Sequence, residues 1–376
     1  MKRNKTPELK PLFIERMKLL LPNKKDFEDY LEILKKKPLN FIRCNTLKIS
    51  PSELKKKLEE KSWKISQPWK DYPEVMIVEG KFAPVGDNNN NNNADNNIIK
   101  NSGFINNIKG GSERSELLGG NKRGKAEPNL IPLEPGELGR SLEHLLGYYY
   151  IQELSSMLPI ITLNPKPNEI ILDLCASPGS KTTQISALMK NTGTIIANEI
   201  SFGRLKILAS NLERCGCTNV IIAKKDGVAF CQRIKKFFPE LRFNKILIDA
   251  PCSGEGTLRS SPKTYLMWNS KTIQNLSRLQ KSMVASAFEI LKEDGELVYS
   301  TCTHAPEENE EVVNFMLKQF PNQVEIQKMK LPIKCRSGVT SWNNDKYNSK
   351  VKKSCRIYPQ DNDTEGFFIA KFKKIR

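Results

Sequence analysis

A rhythm that begins at Glu169 constrains this chain most. "EIILDLC", "TIIANEI", "NVIIAKKD", "KILIDAP" and "GELVYSTC" are short apolar runs, each followed by a helical stretch. Runs of this kind are strands buried on both faces, and the helices between them supply the cover, which predicts a parallel α/β sheet. "VEIQKM" and "GFFIAKFKK" add edge strands near the end. In an open parallel sheet, ligands bind beyond the carboxyl ends of the strands. At those ends stand Asp173, Glu199, Asp226, Asp249, Cys252 and Cys302. One acid at one strand end would mean little; acids at four consecutive strand ends favour a cofactor site over a purely structural sheet.

Upstream, the first 80 residues mix the two periodicities. "NFIRCNTLKIS" reads as a strand, "SPSELKKKLEEK" opens a helix capped by Ser50 or Ser52, and "WKISQPW" and "EVMIVEG" read as extended. This predicts a small α+β unit over residues 1–135, with a disordered, non-catalytic insertion at 87–129 where Asn runs and Gly pairs offer nothing to a core. The second unit, 136–376, opens on "LGRSLEHLLGYYYIQELSSMLPI", a helical pattern. Its Tyr148–Tyr150 are suited to base stacking, but beside Leu145, Leu146 and Ile151 they read better as packing residues.

The formal net charge is +18, and the excess sits at the ends: about +7 over residues 1–80 (19 basic, 12 acidic) and +8 over 330–376 (12 basic, 4 acidic). Such an excess attracts polyanions by counterion release and steering, so nucleic acid is the favoured partner over a merely solvated surface. No long apolar span or leader is visible, which predicts a soluble, cytoplasmic protein without membrane contact. The nine cysteines are odd in number and scattered, and the two histidines are far apart. That argues against a disulfide framework and a metal site, and suits a reducing compartment. Cys44, Cys215, Cys217, Cys231, Cys335 and Cys355 read as buried packing.

"DLCASPGSKTTQIS" follows the first strand and is neither GxGxxG nor a P-loop, so dinucleotides and nucleoside triphosphates are disfavoured. Pro178 and Gly179 set a tight turn, and the next helix begins with free N–H groups. Glu199 suits two ribose hydroxyls, because an ionised acid offers acceptors only. Asp226, ending the third strand, is placed to meet an adenine edge. A nucleoside without phosphate fits S-adenosylmethionine; a structural sheet or another nucleotide remains the alternative.

The segment from Leu138 to Lys374 resembles the Nol/Nop/Sun family of RNA cytosine-5 methyltransferases, in its archaeal and eukaryotic tRNA-directed form. The resemblance rests on "DLCASPGSKTTQ", "NEISFGRLKIL", "KKDG", "IDAPCSGEGTLR", "YSTCTHAPEENE" and "IYPQDNDTEGFFIAKF", in that order. Ser180 stands where family members commonly have a second glycine. The resemblance implies a Rossmann-like S-adenosylmethionine-dependent methyltransferase sheet with a small N-terminal α+β RNA-binding domain. It implies that Cys175, Ala176, Ser177, Pro178, Gly179, Ser180, Lys181, Glu199, Arg204, Asp226 and Asp249 line the cofactor pocket.

Methylation of cytosine C5 needs a thiolate on C6, which makes C5 enamine-like and nucleophilic; a base then takes the C5 proton and the thiolate leaves. The resemblance assigns Cys302 as the nucleophile and Cys252 to product release. It sets Asp249 on the N3/N4 side of the pyrimidine. Lys181 is a candidate for orienting the base or tuning charge, or simply a solvated helix-start lysine. The thiolate calls for positive surroundings or a helix N-terminus, and a helix starting around Ala305–Pro306, with Glu307 and Glu308 in its first turn, is expected to supply one. RNA is the implied partner of a monomer, tRNA first and rRNA second, with loop or single-stranded cytosines easiest to extrude. A DNA methyltransferase using Cys252 alone, a non-catalytic RNA scaffold and a metal-dependent hydrolase are the rival readings.

Overall fold

The computed structural model describes residues 9–83, 130–262, 266 and 268–375. The insertion expected at 87–129 lies outside them. Strands β1 (Asn40–Cys44), β2 (Trp63–Ser66), β3 (Val75–Phe82), β4 (Leu130–Ile131) and β5 (Tyr149–Ile151) make one sheet, ordered β2-β3-β1-β5 with β4 on β3. Every pairing in it is antiparallel. β5 comes from beyond residue 136, so chain on both sides of the 135/136 division builds this unit. The helix Pro51–Glu59 packs on it, and Ser50 closes a reciprocal capping box with Glu53. Leu54 and Leu58 project from that helix into a core with Ile42, Trp63, Met76 and Tyr149.

The second sheet holds β6 (Ile170–Asp173), β7 (Thr194–Asn198), β8 (Val220–Ala223), β9 (Phe243–Asp249), β10 (Leu291–Thr301), β11 (Val324–Gln327), β12 (Arg336–Ser337), β15 (Cys355–Ile357) and β16 (Phe367–Lys374). β13 (Ser341–Trp342) and β14 (Asp345–Lys346) form a separate hairpin. The order is β12-β15-β16-β10-β9-β6-β7-β8, with β11 also on β16. β8, β7, β6, β9 and β10 run parallel, as the apolar runs predict. β16 enters antiparallel between β10 and the edge strands.

Helices cover both faces. Gly227–Phe237, Ser270–Glu289 and Glu310–Gln319 bury Cys231, Met283, Phe288, Val313 and Met316 on one side. Leu154–Leu163 and Ser180–Leu188 bury Met157, Leu158, Ile185 and Met189 with strand residues on the other. Complete burial of each such side chain contributes roughly 1.5–3 kcal/mol. The chain leaves β6 toward β7 and later returns to its other side as β9. This reversal opens a crevice between the carboxyl ends of β6 and β9.

Three regions depart from the expectations. The stretch 138–160 is not one helix: it breaks into Leu142–Leu145, β5 and Leu154–Leu163, because Gly147 at φ +73° lies where any Cβ would strike the Arg214 carbonyl, and the strand after it pairs with β1. Tyr149 and Tyr150 are buried as packing residues. Cys335 and Cys355 are not free packing thiols but a disulfide, Cα–Cα 5.5 Å; the antiparallel pairing of β12 with β15 brings them together. The N-terminal helices Pro11–Leu20 and Lys24–Lys35 pack not on the first sheet but behind the second sheet's loops. Phe13, Met17 and Tyr30 there meet Leu258, Trp268, Ala305 and Tyr358.

Candidate active site

Asp173, the last residue of β6, is buried, and its Oδ2 accepts from Thr182 Oγ1 at 2.7 Å. Burial, opposed by that hydrogen bond, raises its carboxyl to about 7. The loop Cys175–Gly179 then passes over the sheet, with Ala176 N–H donating to the Asn198 carbonyl at 2.9 Å. Gly179, at φ +102°, caps the helix Ser180–Leu188. Arg204 binds this loop to the end of β7: its guanidinium donates to the Ser177 carbonyl at 2.7 Å and lies 3.5 Å from Glu199 Oε2. Glu199 Oε1 accepts from Ser201 N–H at 2.8 Å, which leaves acceptor capacity on both oxygens. Asp226 stands beyond the end of β8 as the N-cap of Gly227–Phe237, where Oδ1 accepts from Ala229 N–H at 3.0 Å.

Lys181 is not a solvated lysine. Its Nζ donates to Asp249 Oδ2 at 2.7 Å and to Ser156 Oγ at 2.8 Å, and lies 5.4 Å from the centre of the Phe367 ring. Asp249 Oδ1 accepts from Ser300 Oγ at 2.8 Å. Both acceptor bonds hold the Asp249 carboxylate in one orientation while 30% of the side chain stays exposed toward the crevice.

Cys252 and Cys302 follow β9 and β10, which are parallel neighbours, so the two thiols meet: Sγ–Sγ is 3.2 Å. The hydrogen bond that the Cys252 S–H makes with Cys302, then burial, push the Cys252 thiol up. Their loops are stitched together around them. Gly256 N–H donates to the Cys302 carbonyl at 2.9 Å, and Ser253 Oγ shares a 2.7 Å hydrogen bond with Thr303 Oγ1. Ser253 N–H and Gln280 Nε2 donate to Glu308 Oε2 at 3.0 and 2.8 Å. Burial lifts the Glu308 carboxyl to about 7. A Cβ on Gly256 would come within 2.3 Å of the Gly366 carbonyl, and one on Gly366 within 2.3 Å of His304. Only glycine permits these approaches.

One expectation fails here. The helix after Cys302 starts at Glu310, not around Ala305–Pro306, and Glu307, half-buried, and Glu308, buried, lie in the preceding turn as acceptors rather than as its first turn. Proline and the Asn309 hydrogen bonds to Thr301 and Thr303 hold that turn in place of helix. The neighbour of the Cys302 sulfur is therefore the second thiol, not a helix N-terminus.

Sequence reasoning missed Arg43, Ser156, Ser300 and Phe367. Arg43 of β1 donates to the Ser180 carbonyl at 2.7 Å and Thr183 Oγ1 at 2.8 Å, joining the first sheet to the cofactor-side helix. Ser300 had a signal: in a parallel pair, the residue two before Cys302 lies opposite Asp249. Ser156 and Arg43 had none, since their partners are distant in sequence. Among the described residues, no group of three or more His, Cys, Asp or Glu side chains gathers as a metal site.

Residues 160–373 match the family described as 16S rRNA methyltransferase RsmB/F. The chain is 42% identical over 282 residues to a tRNA (cytosine(49)-C(5))-methyltransferase of Pyrococcus abyssi, covering 72% of this chain and 87% of that protein. It is 34% identical over 369 residues to ribosomal RNA small subunit methyltransferase F of Psychromonas ingrahamii, covering 97% of this chain but 63% of that longer protein. Among crystal structures, NSun6 from Pyrococcus horikoshii with SFG aligns with a TM-score of 0.73 at 25% identity, over 98% of this chain and 99% of that one. A methyltransferase homolog protein from the same organism aligns with a TM-score of 0.68 at 28% identity, over 97% and 100%. A family match over residues 160–373, together with relatives of 42% and 34% identity, places the chain in the RsmB/F, or Nol/Nop/Sun, family of RNA cytosine-C5 methyltransferases.

Proposed function

We propose that this chain methylates C5 of cytosine in RNA, with S-adenosylmethionine as donor and tRNA as the favoured substrate. The observation that carries the reading is the pair of thiols 3.2 Å apart beside the Lys181–Asp249 pair. The crevice fits the donor: carboxylates at successive strand ends suit ribose hydroxyls and a sulfonium, and the loop offers no phosphate cradle. Glu199 takes the ribose, Gly179 and its neighbours the amino-acid end, and the β8 end with Asp226 the adenine. When bound, S-adenosylmethionine supplies an electrophilic methyl group.

Asp249, fixed by Lys181 and Ser300, accepts from the cytosine amino group and orients the ring. Cys302 as thiolate attacks C6, and the ring electrons move to C5; bound S-adenosylmethionine would give up its methyl group there and depart as S-adenosylhomocysteine. Loss of the C5 proton to a base then expels Cys302. The raised thiol of Cys252 keeps its proton beside Cys302, so its S–H stabilises the Cys302 thiolate during attack and its departure during release. This supports Cys302 as nucleophile and Cys252 in product release. The excess of basic side chains supplies phosphate contacts.

The preference for tRNA is supported by the Pyrococcus abyssi relative, which this chain matches along most of that protein's length. Ribosomal RNA is the second reading, favoured by the name of the matching family. Incubation of the protein with labelled S-adenosylmethionine and bulk tRNA, rRNA and DNA separates them. Label in tRNA, mapped as 5-methylcytosine, is expected. Label in rRNA alone moves the substrate to the second reading, and label in DNA alone overturns the proposal.

A further inference from the structure

Glu153 has no part in the chemistry above, yet it is bonded to two segments that converge on Lys181. It is the N-cap of Leu154–Leu163, with Oε2 accepting from Ser156 N–H at 3.2 Å and from the Ser155 hydroxyl. Its Oε1 accepts from Glu365 N–H at 3.0 Å, across 212 residues of sequence. Glu365 stands two residues before Phe367, which opens β16. One carboxylate therefore ties the start of a helix to the entry of a strand.

Lys181 Nζ has three neighbours: Asp249 Oδ2, Ser156 Oγ and the Phe367 ring. Ser156 is bonded directly to Glu153, and Phe367 follows closely the residue whose N–H Glu153 accepts. Two of the three walls around the ammonium thus depend on one side chain. The third, Asp249, is the group that faces the pyrimidine.

We propose that Glu153 is a positioning residue for methyl transfer, holding Ser156 and Phe367 on Lys181 and, through Lys181, the Asp249 carboxylate at the angle the base requires. This rests on the reading of Asp249 as the base-orienting group. A carboxylate is needed because both of its oxygens accept N–H bonds. A glutamine at this place would set its NH₂ against one of the two N–H donors and lose one tie, and an alanine would lose both.

The test compares Glu153→Gln, Glu153→Ala, Ser156→Ala and the double variant Glu153→Ala/Ser156→Ala, with Ser50→Ala as a control that removes the cap of a helix packed on the first sheet. Readouts are kcat and KM on bulk tRNA, affinity for S-adenosylhomocysteine and thermal midpoint. Misplacement of an orienting group costs up to about 10²-fold, so Glu153→Ala is expected to lose about that in kcat and Glu153→Gln on the order of 10-fold. S-adenosylhomocysteine affinity stays within about 2-fold of wild type in both. Because Ser156 and Glu153 act in one chain, the double variant is expected to be no worse than Glu153→Ala. Additive losses, a kcat loss that only tracks the unfolded fraction, or an equal kcat loss in Ser50→Ala would overturn the proposal in favour of a simple cap. Absence of transfer to RNA by the wild type would instead overturn the functional reading on which it rests.

Discussion

The loops after β6, β7 and β8 and those after β9 and β10 share the carboxyl end of one sheet, yet they are held by different means. The first group is joined by backbone and short-range contacts: Ala176 to Asn198, Arg204 to Ser177, Ser201 to Glu199. Arg204 is 55% exposed, so water screens its pair with Glu199. The thiol loops are joined by buried and half-buried side chains from distant stretches of chain. Arg356 of β15, 3% exposed, meets Glu310, 0% exposed, and also donates to the His304 carbonyl at 2.8 Å. Arg16 of the first helix forks onto Glu307 at 2.9 and 2.7 Å. A pocket for a freely exchanged small molecule needs only its lining set correctly. Two sulfurs that must attack and leave one carbon need their distance kept, and that rigidity has been built from buried charge.

The strongest challenge to this contrast acts on the sulfurs themselves. Cys302→Ala is expected to lower turnover on the order of 10⁴-fold or more, while S-adenosylhomocysteine affinity, measured by calorimetry, is unchanged. Cys252→Ala is expected to trap a denaturant-resistant protein–RNA adduct visible on a gel. An adduct formed by Cys302→Ala would reverse the two roles.

Next in size is the buried ion pair. Arg356→Met leaves Glu310 charged and buried, at a cost of about 3–5 kcal/mol. Denaturant midpoints measure it, and Glu310→Gln should lose a comparable amount. Replacing both members with apolar residues should recover most of the loss, because the desolvation of the charges disappears with them. If Arg356→Met proves as stable as wild type, the thiol loops are no more rigidly held than the cofactor loops.

The same contrast decides what was legible in the sequence. The cofactor half is read along the chain: apolar run, acid, turn, helix, each within about a dozen residues of the next. Both cysteines were legible for that reason, each ending its own strand. Their surroundings were not. Neither the disulfide between Cys335 and Cys355 nor the tie from Glu153 to Glu365 leaves a local pattern, since each depends on which strands become neighbours. The misplaced helix start at Ala305–Pro306 has a local cause. Proline and two acids are a common helix-start signal, but Glu307 and Glu308 satisfy Arg16, Ser253 and Gln280 better from a turn.

A smaller effect separates the halves by pH. The Glu308 carboxyl is raised by burial to about 7, above its value in the unfolded chain. The folded state therefore holds a proton that the unfolded state has released. Its contribution to stability is fully present below about pH 4.5 and is lost as pH rises through about 7. Thermal midpoints of wild type and Glu308→Gln between pH 5 and 8 measure it. The wild type is expected to lose several degrees relative to the variant across that window, at about 2–4 °C per kcal/mol. Parallel curves would remove Glu308 from the account.

The smallest effect on stability belongs to Glu199, and it tests the cofactor half by itself. Glu199→Gln keeps the shape and one acceptor oxygen for Ser201 N–H, but gives up the charge and offers the ribose a donor where it needs an acceptor. A hydrogen bond to a charged group contributes about 1.5–3 kcal/mol, so affinity for S-adenosylhomocysteine should weaken by at least about 10-fold. The thermal midpoint should stay close to wild type, because the ion pair given up, with Arg204, is half in water. Calorimetric titration and a thermal scan on the same sample give both numbers. Loss of affinity without loss of stability is the behaviour of a lining. A fall in midpoint comparable to that of Arg356→Met would mean that the acid at the end of β7 also supports the fold, and the two halves would then differ in location but not in construction.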